Sequence, residues 1–533
     1  MKRISTKFFF IMLALVVGFV AACSNDSTNE GSNTDNESTP TIGGGNLNIG
    51  VVSDPVSLDP HGANETVANT INATIYDRLV YMDQNSEIQP GLAESLEQIE
   101  DTVWEAKIRE GVTFHDGTEL NAEAVKLSLD RVRDPEVAAP VAFLFGMVTD
   151  VRVVDEFTVH IETEFPFAPL PAHLAHTAGS IISPQLIEQS YEDLANGENP
   201  FAAANEQPSG TGYFKFESQQ PGNSVSLSKN EDYWHEEQAK VDTVTFKVIP
   251  ESLTRIAELE TGEIDINFTV SPSDVSRVES NPDTIVEQVN STRMVYLGFN
   301  TEVEPLNDVN VRRALHMAVD KNALVEGILD GVGIPADTPI APGVYGYSEG
   351  VDTIEYDIEQ AKELLAEAGY PDGFDVTLLT DDERERQDLA VALQSQLAEI
   401  GVNVNIDTYE FGTYIERAGL GQMEIFLGSW GTVTIDADYG LYAVFHSKNI
   451  GPPGNRSRIV NEDLDELLDA ARQEIDPETR IDLYAQVQNK LAEESPYAYL
   501  YFPDNISAVR SDVEGFWQYP SGYFFLRDVT LNR

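Results

Sequence analysis

Residues 357–379 read DIEQAKELLAEAGYPDGFDVTLL, and this stretch contains a helix signal and a strand signal in direct succession. Asp357 can cap a helix, because Gln360 follows three residues later and the next apolar residues recur at the spacing of one helical face. The glycine and proline that follow end this pattern. The segment FDVTLL at 374–379 then has the composition of a strand. We therefore predict a helix that leads into a buried strand.

The same alternation continues along the chain. A second helical stripe contains Leu389, Leu393 and Leu397, and it precedes the alternating segment VNVNI at 402–406. A third strand, EIFLGSW, is predicted at 424–430. Alternating strands and helices are typical of an α/β sheet, and ligands of such sheets usually lie beyond strand ends. The residues after this third strand are therefore candidates for binding.

The N-terminus has the features of an export signal. Basic residues precede an apolar run from Phe8 to Phe19, and small residues then lead to Cys23. This ending resembles the lipobox of bacterial lipoproteins, which implies cleavage before Cys23 and a lipid on its sulfur. An ordinary signal peptide with an incidental cysteine is the alternative. We predict a signal peptide at 1–22 and a flexible polar tether at 23–45.

Composition limits the classes of partner. The chain of 533 residues has 90 acidic and 33 basic side chains and a net charge of −57, so its surface repels nucleic acid and anionic lipid head groups. A hydrophobic content of 41% indicates a folded protein, and the length favours two or three domains. Cys23 is the only cysteine, which excludes disulfides and thiolate metal sites within the chain. We expect no cofactor and no metal.

The order of the predicted elements indicates two lobes joined by a hinge. Residues 263–270 and 499–505 are interpreted as strands that cross between the lobes. Short strands around one helix indicate an α+β subdomain inserted into the first lobe. The predicted division is 46–88, 205–270 and 504–533 for the first lobe, 89–204 for the inserted subdomain, and 271–503 for the second lobe.

An ordered series of motifs spans nearly all of the chain after the tether. The motifs are LDPH at 58–61, REGVTFHDGTELNAEAVKLSLDRV at 109–132, PSGTGYFKF at 208–216, KNEDYW at 229–234, LETGEIDI at 259–266, YLGFNTEVEPLNDVNVRRALHMAVDK at 296–321, AKELLAEAGYPDGF at 361–374, GSWGTVTIDADYGL at 428–441 and GFWQYPSGYFFL at 515–526. This series resembles the family 5 solute-binding proteins of bacterial ABC transporters, and the glutathione-binding branch is the most similar. The resemblance implies a type II periplasmic-binding-protein-like α/β fold that closes over a ligand and delivers it to a permease.

The segment GSWGTVTIDADYGLY at 428–442 is the main candidate for a ligand-binding wall. A calcium loop starting at Asp436 would need Asp or Asn at position five and Glu at position twelve, but Gly440 and Ser447 stand there. A peptide ammonium in a closed cleft needs a carboxylate, because an unpaired buried charge is costly. We assign this role first to Asp436 and second to Asp438.

Trp430 and Thr432 belong to the same predicted wall, in which the indole covers apolar ligand surface. The resemblance places the ammonium-binding acid of dipeptide-binding members at Val433, which weakens a dipeptide assignment and favours a glutathione-type ligand. The alternative is that one of the two aspartates only caps a helix beginning at Tyr439.

Arginine suits a ligand carboxylate, because its planar guanidinium can donate two parallel hydrogen bonds. Arg384 and Arg386 follow a predicted strand, and Arg293 precedes another. Thr211 lies in a loop of small residues that would let the backbone approach a ligand. The alternatives are a solvated charged loop for the first two arginines, a structural ion pair for Arg293, and a plain turn for Thr211.

The leading hypothesis is an extracytoplasmic lipoprotein, expected as a monomer, that captures glutathione or another short peptide for an ABC importer. It would be anchored through Cys23 to the outer face of the cell membrane, which is the periplasmic side where an outer membrane exists. The same architecture with a nickel chelate or an oligosaccharide is the first alternative. An exported hydrolase is the second, but the sequence contains no nucleophile elbow, zinc-protease motif or phosphate loop. We therefore expect no enzyme.

Overall fold

The computed structural model describes residues 44–451 and 454–533. The predicted signal peptide, Cys23 and nearly all of the predicted tether lie outside these ranges, so the lipid anchor stays a prediction. Within the described ranges, every helix is too short or too polar to cross a lipid bilayer.

The strands are numbered in chain order. They are β1 (Asn46–Val51), β2 (Val80–Met82), β3 (Ile88–Pro90), β4 (Ala93–Glu100), β5 (Val103–Ile108), β6 (Val148–Asp155), β7 (Thr158–Thr163), β8 (Phe214–Gln220), β9 (Ser224–Lys229), β10 (Thr243–Val248), β11 (Ile266–Asn267), β12 (Thr284–Asn290), β13 (Arg293–Phe299), β14 (Ile334–Pro335), β15 (Asp375–Asp381), β16 (Asn403–Tyr409), β17 (Ile425–Gly431), β18 (Tyr497–Phe502), β19 (Asp504–Arg510), β20 (Val513–Glu514), β21 (Trp517–Gln518), β22 (Phe524–Phe525) and β23 (Thr530–Leu531).

The α-helices are numbered in the same way. They are α1 (Thr66–Ile75), α2 (Ala122–Arg133), α3 (Leu170–Ala175), α4 (Pro184–Ala195), α5 (Ala202–Glu206), α6 (Ser252–Thr261), α7 (Val275–Glu279), α8 (Val309–Met317), α9 (Lys321–Ile328), α10 (Ile358–Glu367), α11 (Arg384–Ala398), α12 (Phe411–Gly419), α13 (Ala437–Phe445), α14 (Glu462–Gln473) and α15 (Pro477–Glu494).

The first lobe is built around a seven-stranded sheet with the order β12-β19-β11-β1-β10-β9-β8. The central strand β1 is parallel to β10 and β11, and the other neighbours pair antiparallel. Leu47 and Ile49 of β1 are fully buried and share a core cluster with Phe246 of β10. The burial of alternate β1 residues on one face explains why this short strand anchors the sheet.

The second lobe is built around a six-stranded sheet with the order β14-β18-β13-β17-β15-β16. Here β15 is parallel to β16 and to β17, and α10 and α11 precede and follow β15. Asp357 caps α10 by accepting the Gln360 N–H at 2.9 Å. The predicted helix, strand, helix and strand series is therefore confirmed in this lobe.

A separate antiparallel sheet lies between β3 and β8 in the chain and has the order β4-β5-β7-β6. Helix α2 packs against β6 and β7. Its core includes Trp104, Val125 and Ile161. This unit is the inserted α+β subdomain that the sequence predicts, and it is counted with the first lobe below.

The chain passes between the two large sheets at two adjacent places. Strands β12 and β13 lie in different sheets and are separated only by Ser291 and Thr292, while β18 and β19 are separated only by Pro503. The Ser291 hydroxyl donates to the Pro503 carbonyl, which joins the two crossings. Residues 263–270, predicted as a crossing, instead contain β11 of the first sheet. Strand β12 also pairs within the first sheet, whereas the predicted division assigned it to the second lobe.

Glycine makes room for an aromatic cluster in the second sheet. Gly428 lies directly opposite Tyr296, and a Cβ on Gly428 would stand 2.4 Å from the tyrosine ring. The Tyr296 ring stacks on Tyr497 with centroids 4.0 Å apart and meets the edge of Phe426 at 5.9 Å. The position therefore excludes any side chain unless the aromatic cluster moves.

Gly428→Ala should lower the free energy of unfolding by about 1–3 kcal/mol, the usual cost of overpacking a filled core. Urea unfolding, monitored by circular dichroism, measures this change. Gly327→Ala is the matched control, since a Cβ there meets no atom within 4 Å and the residue lies in α9. The control should gain up to about 1 kcal/mol from helix propensity. Equal stability of the two variants would contradict the packing argument.

Candidate functional site

The segment that follows β17 is held tightly at the junction of the lobes. Thr432 is buried, and its N–H donates to the Thr292 carbonyl, within the first crossing, at 3.1 Å. Ile435 has a φ of 55°, which is an unfavourable conformation for a β-branched residue. Such backbone strain persists only where the surroundings enforce it, and it is common at ligand sites.

Asp436 already has a counterion inside the protein. Arg480 donates from Nη1 to Oδ2 at 2.8 Å and from Nη2 to Oδ1 at 2.6 Å, and both side chains are buried. Oδ1 also accepts the Asp438 N–H at 2.9 Å, so Asp436 caps α13, as the alternative interpretation expected. The helix begins at Ala437, two residues earlier than predicted. The prediction of a free carboxylate that waits for a ligand ammonium is therefore corrected.

The pKa of Arg480 reflects this pairing. Burial is the largest single influence and opposes the charged form, but Asp436, Tyr484 and Asp438 together outweigh it and raise the pKa of the guanidinium above its ordinary value. The Arg480 guanidinium consequently stays charged, and its two hydrogen bonds to Asp436 fix the turn at the start of α13.

Asp438 is paired in the same way. Arg472 donates from Nε and Nη2 to its two carboxylate oxygens, each at 3.1 Å. The Arg472 guanidinium lies 3.6 Å from the ring centre of Tyr442 in the second lobe and 5.2 Å from that of Phe167 in the inserted subdomain. His173 of the subdomain approaches Asp438 to 3.9 Å. Asp438 is therefore a contact between the lobes and carries no free charge for a ligand.

Trp430 ends the strand at this junction. Its ring lies 5.4 Å from that of Tyr439, and it packs with Val433 against the core of the inserted subdomain. The indole N–H is buried and has no hydrogen-bond acceptor among the described residues. A buried donor without an acceptor is costly, so this group is available to a ligand.

The three predicted arginines differ in their surroundings. The Arg384 side chain is 96% exposed and lies 3.7 Å from Asp388, which fits the alternative of a solvated loop. Arg293 is also exposed, at the start of β13. Arg386 is half-buried, donates from Nη2 to the Ser429 hydroxyl at 2.9 Å, and keeps a buried Nη1 without any partner in the described chain. Arg386 is therefore the arginine whose geometry suits a ligand carboxylate.

Thr211 makes its contacts with residues of the first lobe, unlike the three arginines. It is buried and donates to Asp77 at 2.9 Å, and the Trp234 indole donates to the same carboxylate oxygen at 2.7 Å. Burial raises the pKa of Asp77, while these hydrogen bonds oppose the shift. Thr211 thus has a structural partner, in line with the plain-turn alternative.

A cavity of about 440 Å³, called the interlobe cavity below, lies between the two lobes. The first lobe contributes β2, β3 and the start of β4 together with residues of α3, and the second lobe contributes Tyr345, Thr434, Ile435, Asp436 and Arg480. Ligand pockets for small molecules usually enclose about 300–1,000 Å³. The interlobe cavity has the size and position of a binding site.

The sequence alone did not identify Arg472 or Arg480 as partners of the two aspartates. Each arginine lies in a later helix, 34 and 44 residues from its acid. The sequence indicated only that a buried acid needs a cation nearby and that this chain has few basic residues to supply one.

Asp436→Asn should lower the free energy of unfolding by about 3–5 kcal/mol in the absence of ligand, because it leaves Arg480 buried without its counterion. Urea denaturation measures the change. Asp482→Asn, an exposed acid on the same helix as Arg480, is the control and should stay within about 0.5 kcal/mol. Unchanged stability combined with weaker ligand binding would show instead that Asp436 pairs with the ligand ammonium.

Comparisons with known proteins agree with this architecture. The family model for bacterial extracellular solute-binding proteins, family 5 middle, matches residues 87–452. The glutathione-binding protein GsiB of Salmonella typhimurium is 31% identical over 500 residues, which are 92% of this chain and 96% of that protein.

Solved structures are similar over the same length. HbpA2 from Haemophilus parasuis has a TM-score of 0.80 and 31% identity, and the match covers 91% of this chain and 100% of that one. DppA from Helicobacter pylori, solved in complex with the peptide STSA, has a TM-score of 0.80 and 29% identity over 92% of this chain and 99% of that one. The chain belongs to the family 5 extracellular solute-binding proteins of bacteria.

Proposed function

We propose that the protein is the solute-binding component of an ABC importer, which captures glutathione or another short peptide outside the membrane and delivers it to the permease. Its family membership and its similarity to a glutathione-binding protein and to a peptide complex support this assignment. Members of this family bind solutes and are not enzymes.

The observation that carries the proposal is the unpaired Nη1 of Arg386. It is a buried cationic donor beside the end of β17, with one hydrogen bond to Ser429 and no carboxylate within ion-pair distance in the described chain. Guanidinium and carboxylate groups match in geometry and in charge. A peptide carboxylate supplies the acceptor and the counterion that the protein itself does not.

The other groups at the junction complete the proposed site. The Trp430 indole covers apolar ligand surface and offers its N–H, while exposed Arg293 lies at the adjacent strand start. Asp436 lines the interlobe cavity beside its partner Arg480, and within the described residues its Oδ2 accepts one hydrogen bond, from Arg480. That oxygen has a lone pair left for a ligand N–H.

Ligand capture requires the lobes to move relative to each other. We propose that the two crossings at 291–292 and at Pro503 act as the hinge, so that the first lobe comprises 46–290 with 504–533 and includes the inserted subdomain near 89–204. Hinges of this kind absorb the motion in a few residues at element ends. We propose that the protein works as a monomer and needs no cofactor.

The first test measures peptide binding by isothermal titration calorimetry. The purified full-length protein should bind glutathione, and Arg386→Gln should weaken binding by about 2–5 kcal/mol, because the ligand carboxylate loses a buried charged partner. Arg384→Gln removes an exposed arginine two residues away and should leave the affinity unchanged.

Absence of heat with glutathione and with a panel of dipeptides and oligopeptides would refute the peptide assignment. Heat with nickel chelates or oligosaccharides would then favour another solute. Equal losses in the two arginine variants would show that Arg386 contributes only through the general charge of the region.

The second test concerns the anchor. We propose that the mature chain begins at Cys23 and carries a diacylglyceryl group on its sulfur, which holds the protein at the outer face of the cell membrane. Mass spectrometry of the N-terminal peptide should show this added mass, and Cys23→Ser should release the protein from the membrane fraction. An unmodified Cys23 in the mature protein would contradict the proposal.

A further inference from the structure

A second, smaller cavity lies beside the interlobe cavity. Its volume is about 30 Å³, and Arg78, His176 and Tyr523 of the first lobe line it together with Val433 and Ile435 of the second lobe. Three of its lining residues also line the interlobe cavity, so the two spaces are neighbours. A space of this volume admits one or two waters or a single carboxylate group.

Arg78 is a cation without a partner. Its side chain is half-buried, its Nε is buried without a hydrogen bond, and it forms no ion pair anywhere in the described chain. Other arginines of the fold show both patterns: Arg131 binds Asp59 at 2.7 Å, and Arg472 and Arg480 have aspartate partners. Arg417 and Arg456, by contrast, each keep a buried Nε without a hydrogen bond in the described chain. What distinguishes Arg78 is its place: in a chain of net charge −57, this cation without an ion pair lines the small cavity.

His176 adds a second donor. Its Nδ1 accepts the Ala178 N–H at 3.1 Å, so the neutral ring carries its proton on Nε2. That Nε2 is buried and has no partner in the described chain. Burial, followed by the nearby charges of His173 and Arg78, lowers the pKa of His176 to about 3, so the ring stays neutral and donates from Nε2 near neutral pH.

Tyr523 supplies a third polar group. Its hydroxyl is buried without a hydrogen-bond partner among the described residues, and its ring lies 6.4 Å from that of His176. Buried polar groups are nearly always paired in folded proteins. Three such groups around one cavity, all able to donate and one of them cationic, are complementary to an acceptor that carries negative charge.

We propose that the small cavity is an anion subsite that takes a second carboxylate of the ligand, with Arg78 as its main counterion. The inference rests on the proposed function, in which Arg386 holds the other carboxylate. Ser429, the partner of Arg386, and Val433, which lines the small cavity, are four residues apart, so their Cα atoms are at most about 14 Å apart. A tripeptide-sized ligand with a carboxylate at each end, as in glutathione, spans such a distance.

The subsite makes the protein selective for ligands with two carboxylates. A carboxylate accepts several hydrogen bonds at once and donates none, which complements Arg78, His176 and Tyr523 together. A peptide with one carboxylate, or an amide in place of the second one, would leave the guanidinium of Arg78 unpaired after closure. Such ligands should bind more weakly for that reason alone.

The test compares glutathione with its two mono-amides, in which either the glycine carboxylate or the glutamyl α-carboxylate is an amide, by calorimetry on the full-length protein. The wild type should bind glutathione at least tenfold more tightly than either amide. Arg78→Gln should lose about 10- to 100-fold for glutathione and for one amide, and should leave affinity for the other amide unchanged. That unaffected amide identifies the carboxylate that occupies the subsite.

Arg109→Gln is the matched control, because this half-buried arginine of the first lobe donates to the Gly91 carbonyl and lies near Glu94 outside the small cavity. It should leave all three affinities unchanged. Arg78→Lys retains the charge and should rescue part of the loss, which a folding defect would not show.

The outcomes separate the two proposals. No binding of glutathione to the wild type overturns the proposed function and the subsite with it. If the wild type binds glutathione and both amides with equal, high affinity, the subsite is overturned and peptide capture stands. The same conclusion follows if Arg78→Gln weakens the binding of all three ligands equally.

Discussion

Two short chain crossings determine how this molecule works. Strands β12 and β19 pair in the first sheet, and the same two runs of chain continue as β13 and β18, which pair in the second. Only Ser291, Thr292 and Pro503 lie between the sheets at these points. Each lobe has its own sheet and its own core, so the surfaces that face each other can separate and close while both cores stay intact. This arrangement is what the proposed capture of a solute between the lobes requires.

The distribution of charge explains which groups at the junction serve the fold and which remain for a ligand. Arg472 and Arg480 neutralise the two aspartates of α13, fix the strained turn before it and connect it to the inserted subdomain. Arg78 and Arg386, by contrast, carry buried donor atoms without partners. Arg78 also lines a cavity shared by the two lobes, and the combination of a cavity and an unpaired cation favours an anionic ligand there.

Local sequence patterns predicted the elements around α10, β15 and β16, because capping, periodicity and strand alternation act over a few residues. They predicted one crossing near Pro503 but misplaced the other, since β11 and β13 are both short apolar segments whose sheet is decided by distant partners. The ligand wall at 428–442 stays a prediction. The ion pair of Asp436 had no local signal, because its counterion lies 44 residues away. Arg78 had no local signal at all, since its importance lies in a missing partner.

A crystal structure of the protein with glutathione would show directly whether Arg386 binds a ligand carboxylate between the lobes. We expect electron density for the peptide between the lobes, with a carboxylate oxygen within about 3 Å of Arg386 Nη1. Peptide bound elsewhere on the surface would contradict the proposed site between the lobes. Peptide bound between the lobes with Arg386 Nη1 still unpaired would contradict the role of Arg386.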